Sequence, residues 1–175
     1  MVEIKGRLSP SSPTFYQDVM HRLGGETLTL CYQCGTCASS CPVARLTKRF
    51  NPRTILKDAI LGNREKVIND GAIWLCTSCF NCQERCPQEI EIADIIYALR
   101  NMALKEKRVP QAFIEMASNL AESGRVVPIA SFTLRRRQRS GLPPLLDAGV
   151  EALNKIMSAT EFKENLDHAK EADSE

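Results

Sequence analysis

Two stretches of this chain, CYQCGTCASSCP from Cys31 and CTSCFNCQERCP from Cys76, share the pattern C-x-x-C-x-x-C-x-x-x-C-P and hold all eight cysteines. Three thiols at such spacing are too close for relaxed disulfides in a winding loop, but they can turn toward a common centre. Successive backbone N–H groups point inward in such a loop and stabilise negative charge on sulfur. Gly35 can supply a positive φ there, and Thr36, Ala38, Ser39, Thr77 and Ser78 are small enough for the chain to hug a bound group.

The run is that of bacterial 4Fe-4S ferredoxins, in which the fourth cysteine of each run serves the other cluster. Pro42 and Pro87 bias Cys41 and Cys86 toward extended backbone, which carries each fourth cysteine away from its own loop. Carried over, Cys31, Cys34, Cys37 and Cys86 hold one cluster, and Cys76, Cys79, Cys82 and Cys41 hold the other. In the alternative, each comb keeps its own four. Two zinc sites are the blander reading, yet zinc more often takes two C-x-x-C pairs than three evenly spaced cysteines and a proline-marked fourth.

A thiolate-ligated cluster is anionic, and Arg45, Lys48, Arg49 and Arg85 are the cations near it in sequence. Leu30, Val43, Leu75, Ile90 and Ile92 are expected to pack around the clusters and exclude water. Trp74, the single tryptophan, reads as packing beside the second comb, and His21 and His168 as surface residues. Every cysteine is committed, and no glycine-rich phosphate loop, acid pair or Ser/His arrangement is present. No catalytic residue is therefore expected on this chain.

The elements that must position these loops read as helices. Ser12-Pro13 starts one, with Phe15, Val19 and Leu23 on one face, and Gly24-Gly25 stops it. Asn51-Pro52 starts another, with Ile55, Leu56, Ala59 and Ile60 inward, and a short helix follows from Arg64 to Asn69. The longest runs from about Glu91 to Lys107, on Ile92, Ile95, Ile96, Leu99, Met102 and Ala103. Pro110 opens the next, ended by Gly124. The segment GRVVPIASFTLRRRQRSGLPPLL is expected to wander over the surface, and a last helix to span about Leu145 to Met157. The acidic tail EFKENLDHAKEADSE is expected to fray or to need a partner. Strand-like alternation occurs only in ETLTL and EIEIA, so the fold class is all-α.

At 175 residues the chain is one modest domain with an extension. Its 23 basic and 21 acidic residues make no field for nucleic acid. The start MVEIKGRLSPSSP carries no apolar leader and no run is long enough for a membrane helix, so a cytoplasmic protein without membrane insertion is expected.

CYQCGTCASSCP, then NPRTILKDAILG, then IWLCTSCFNCQERCPQEIEIADIIYALRN together resemble the iron–sulfur C subunit of methanogen heterodisulfide reductase. The resemblance covers about Leu30 to Arg108, less specifically the stretch to Pro128, and nothing from Ser131 onward. It implies an α-helical ferredoxin-like domain at 28–108 with two 4Fe-4S clusters, a lead-in at 1–27, and a C-terminal helical arm with acidic tail at 109–175. It further implies relay of electrons from the family's flavin and iron–sulfur A subunit to its catalytic B subunit. In that family the catalytic subunit reduces the CoM-S-S-CoB heterodisulfide in methanogenesis, and in methanogens lacking cytochromes a hydrogenase or formate dehydrogenase module is the donor. That catalytic subunit uses adjacent cysteines, and this chain has no Cys-Cys pair. Alternatives are the equivalent subunit of a sulfur-metabolism or quinone-linked dehydrogenase complex, and a free two-cluster ferredoxin. LRRRQR, from Leu134 to Arg139, reads either as a docking run for an acidic partner face or as a solvated loop.

Overall fold

A computed structural model describes residues 12–146 and 148–171, which form helices and turns and, among the described residues, no strand. The chain divides into one unit ending at Arg108 and a second beginning at Val109.

In the first unit, Ser12 caps α1 (Pro13–Met20) by accepting the Phe15 N–H at 3.3 Å. Phe15 and Val19 are buried as the spacing predicts, but Leu23 is 72% exposed. The helix ends at Met20, so the i+8 position leaves the face. Gly24, at φ 75, then launches a 3-10 turn, Gly25–Leu30, in place of the alternation in ETLTL. Short helices α2 (Thr36–Ser40) and α3 (Pro42–Leu46) follow within and after the first comb. Asn51 caps α4 (Pro52–Ile60) through the Thr54 N–H at 3.2 Å, and α4 buries Ile55, Leu56 and Ala59. Asp58, a buried acid, accepts from the Asn63 side chain at 2.9 Å in the turn to α5 (Arg64–Ile68).

A second 3-10 turn, Ala72–Leu75, precedes the second comb, which contains α6 (Asn81–Glu84). α7 (Ile92–Lys105) packs against both 3-10 turns and against α1, α5 and α6. Its buried face is Ile92, Ile95, Ile96, Leu99 and Ala103, and each large side chain so covered contributes roughly 1.5–3 kcal/mol. One amphipathic helix is thus the common floor beneath both cysteine loops.

In the second unit, α8 (Gln111–Ser123), α10 (Val150–Ala159) and α11 (Phe162–Glu171) pack mutually and bury Ile114, Met157, Leu166 and Ala169. Three expectations change here. Ser131–Arg139 is a helix, α9, where a wandering loop was expected: Leu, Arg and Gln are good helix formers, and this outweighs the flanking breakers. The next helix begins at Val150 rather than Leu145, after the prolines. The tail folds as α11 because Leu166 and Ala169, three residues apart, share one buried stripe; residues 172–175 lie outside the described residues. α9 itself buries nothing. Among the described residues no helix is long and apolar enough to cross a membrane.

Candidate functional site

Each comb is delivered by its 3-10 turn, which a left-handed glycine starts: Gly24 at φ 75 and Gly71 at φ 70. The turns end on Cys31 and Cys76 in extended backbone. Positive φ recurs at the same two places in each comb, at Gln33 and Gly35 in the first and at Ser78 and Phe80 in the second. This alternation of handedness winds the loops and brings Cys37 and Cys82 onto α2 and α6, each only 8% exposed. Cys41 is extended at φ −76, as its proline dictates, and its Sγ accepts the Ala44 N–H at 3.5 Å.

Cys31, Cys34, Cys37 and Cys86 line one small hollow, with Arg53, Leu56, Ile90 and Ile92 in its wall. Cys41, Cys76, Cys79 and Cys82 line another, walled by Val43, Phe50, Phe80 and Ala93. Each fourth cysteine therefore sits in the hollow of the other comb. α2 packs on α6, which puts the buried Cys37 and Cys82 on the inner side, whereas Cys34 and Cys79 are exposed. Among the described residues no three Cys, His, Asp or Glu side chains converge tightly enough for a single metal ion.

Burial and one another's charge act on the inner thiols. Burial pushes Cys37 up to about 11, and the charges of Cys31, Cys34 and Cys86 push the same way against the Ala38 N–H. Burial likewise pushes Cys82 up to about 12, aided by Cys76 and more weakly by Cys37 of the other hollow. Burial raises Cys76 too, opposed by the Ser78 N–H and the Arg100 charge. Cys34 is lowered, chiefly by the Thr36 hydroxyl and N–H. Gln33 Nε2 donates to Cys31 Sγ at 3.2 Å. Thiolates crowded into low dielectric repel one another, and a cationic core between them turns that repulsion into ligation.

Other expected neighbours are placed differently. Leu30 and Leu75 are 51% and 37% exposed, so they do not wall the hollows, while Ile90, Ile92 and Val43 do. Arg45 is drawn to the Ser39 carbonyl at 3.1 Å and Arg49 to the Asp70 carbonyl at 3.2 Å. Arg85 lies within the second comb with its side chain exposed, and two further cations reach the loops, Arg53 in the wall of the first hollow and Arg100 at the second loop, neither of which stands beside a comb in sequence. Arg100 donates through Nε to the Ile73 carbonyl at 3.0 Å and through Nη2 to the Cys76 carbonyl at 2.5 Å. Its place on α7, three residues after Tyr97, gains meaning only once α7 lies under the second 3-10 turn. Trp74 is half-buried and donates from Nε1 to the Arg108 carbonyl at 3.0 Å, and both histidines are exposed.

The 4Fe-4S dicluster domain family matches residues 27–90. Over 153 residues the chain is 37% identical to the C subunit of the H(2):CoB-CoM heterodisulfide,ferredoxin reductase of Methanothermobacter thermautotrophicus, covering 84% of this chain and 82% of that protein. It is 34% identical over 149 residues to the C subunit of the ferredoxin:CoB-CoM heterodisulfide reductase of Methanosarcina mazei, covering 82% and 91%. An Archaeoglobus profundus protein described as like the heterodisulfide reductase C subunit is 32% identical over 153 residues, covering 84% and 80%.

Proposed function

Because the chain belongs to the family of heterodisulfide reductase C subunits, which are iron–sulfur electron-transfer proteins, we propose that it is an electron relay between two partner subunits. Cys31, Cys34, Cys37 and Cys86 hold one 4Fe-4S cluster, and Cys76, Cys79, Cys82 and Cys41 hold the second. The observation that carries this reading is the pair of four-cysteine hollows whose inner members, Cys37 and Cys82, lie on helices packed together.

Bound 4Fe-4S clusters supply one-electron exchange at potentials between about −700 and +450 mV. The chain's own residues set the conditions for it. Leu56, Ile90 and Ile92 on one side and Val43 and Phe50 on the other keep water from the inner faces. Cys34 and Cys79, both exposed, mark the outer faces where electrons enter and leave. The partners are the flavin and iron–sulfur subunit and the catalytic subunit of heterodisulfide reductase, with a hydrogenase or formate dehydrogenase module upstream, in the cytoplasm. Reduction of the CoM-S-S-CoB heterodisulfide belongs to the catalytic partner, since all eight cysteines here are ligands and none is left as a nucleophile.

Anaerobic purification tests the assignment. About eight iron and eight acid-labile sulfide per chain are expected, with a flavoprotein and a cysteine-rich partner retained. Two zinc ions would remove the cluster reading, and an iron-loaded monomer that retains no partner would replace the complex by a free carrier.

A further inference from the structure

Arg100 is half-buried on α7, with its guanidinium carbon 5.6 Å from the Trp74 ring and 5.9 Å from the Tyr97 ring. Two of its nitrogens reach carbonyls at either end of the same segment, that of Ile73 in the 3-10 turn and that of Cys76 where the comb starts. The planar fork suits this double grip, and flanking rings reduce its contact with water. The first loop lacks the arrangement: Arg53, the cation in the wall of its hollow, has an exposed side chain screened by solvent.

We propose that Arg100 is a positioning residue that sets the potential of the second cluster alone: it clamps the entry of the second loop and holds a fixed positive charge against it. This rests on the two-cluster reading above. Reduction adds negative charge to a cluster, so a nearby cation that cannot move away stabilises the reduced form and raises its potential. Electrons shared between the clusters are then drawn toward the Cys76 loop.

The test is a redox titration followed by electron paramagnetic resonance on the full chain, anaerobically loaded with iron and sulfide. The second cluster's signal is identified as the one that Cys79→Ser alters. In Arg100→Gln that signal's midpoint moves to more negative potential and the other stays in place. Arg100→Lys keeps the charge without the fork, and gives a shift of the same sign but smaller; it is read by itself should the Gln variant fail to load. Potentials that do not move in the loaded variants, or that move equally for both clusters, overturn the proposal while leaving the relay reading intact. A wild-type chain carrying one cluster or none overturns both.

Discussion

Gly25 in the first loop and Ala72 in the second hold the same place, one residue after the left-handed glycine that launches each 3-10 turn. A Cβ on Gly25 would lie 1.9 Å from the Val19 carbonyl of α1, whereas Ala72 carries one at that place and buries it. α1 closes on the first turn too tightly for a Cβ, whereas the second turn packs on α5 and α7 with room for one. The same contrast runs through the combs. Gly35 takes the positive φ that Phe80, an L-residue, takes in the second. Cys31 receives a side-chain donor from Gln33, while Cys76 is eased by the Ser78 backbone N–H and by Arg100. Two loops with one cysteine frame therefore differ in what surrounds the sulfurs, and surroundings, not ligand count, separate the potentials of equivalent clusters.

The largest effect expected is from Cys86→Ser. Iron should fall from about eight to about four per chain. The surviving spectrum should match that of Cys34→Ser and differ from that of Cys79→Ser. A match to Cys79→Ser instead would mean that each comb keeps its own fourth cysteine.

Leu99→Ala removes a fully buried side chain from the floor common to both loops. A loss of about 2–5 kcal/mol is expected in chemical denaturation, with both clusters bleaching in one transition. Separate bleaching would show that the loops do not share one cooperative core.

Next in size is the cover over the first loop. Gly25→Ala forces α1 or the turn to shift and should cost about 1–3 kcal/mol, at the upper end because the obstructing atom is backbone. Gly71→Ala meets open space and should lose only the roughly 1–2 kcal/mol of a left-handed L-residue. Denaturation midpoints that rank the two in reverse order would remove α1 as the source of the asymmetry.

The smallest energetic contrast exchanges the comb residues. Gly35→Ala meets only the flexible Arg53 side chain, at 3.7 Å, so the backbone penalty of roughly 1–2 kcal/mol is all it should lose. Phe80→Gly relieves the same strain but loosens the unfolded chain and uncovers the second hollow, so the change should lie within about 1 kcal/mol of zero. Smaller still, Gln33→Ala deletes one donor to Cys31 Sγ. It should move only the first cluster's midpoint, toward negative potential, in film voltammetry.

Much of the first unit was readable residue by residue. Ser12 and Asn51 cap the helices that follow them, because a cap acts over three residues and needs no tertiary context. The face of α7 was equally plain: of the positions read from the pattern, Ile92, Ile95, Ile96, Leu99 and Ala103 are buried and Met102 is partly buried against the core. What the pattern missed depended on neighbours far along the chain. Leu23, Leu30 and Leu75 are apolar and near the loops, yet the turns direct them outward. α11 looked like a solvated tail because its stripe of Leu166 and Ala169 is too narrow to signal burial without α8 beside it.

The sequence by itself determined the sulfur donors and their class of chemistry: the spacing of eight cysteines and two prolines acts through local backbone geometry, which needs no fold to operate. The prolines already pointed each fourth cysteine to the other comb; only the tertiary structure brought those cysteines into shared hollows and decided which cation reaches which loop. Those depend on α2 packing on α6 and on α7 passing beneath Cys76, contacts between residues too distant in sequence for any local rule to pair.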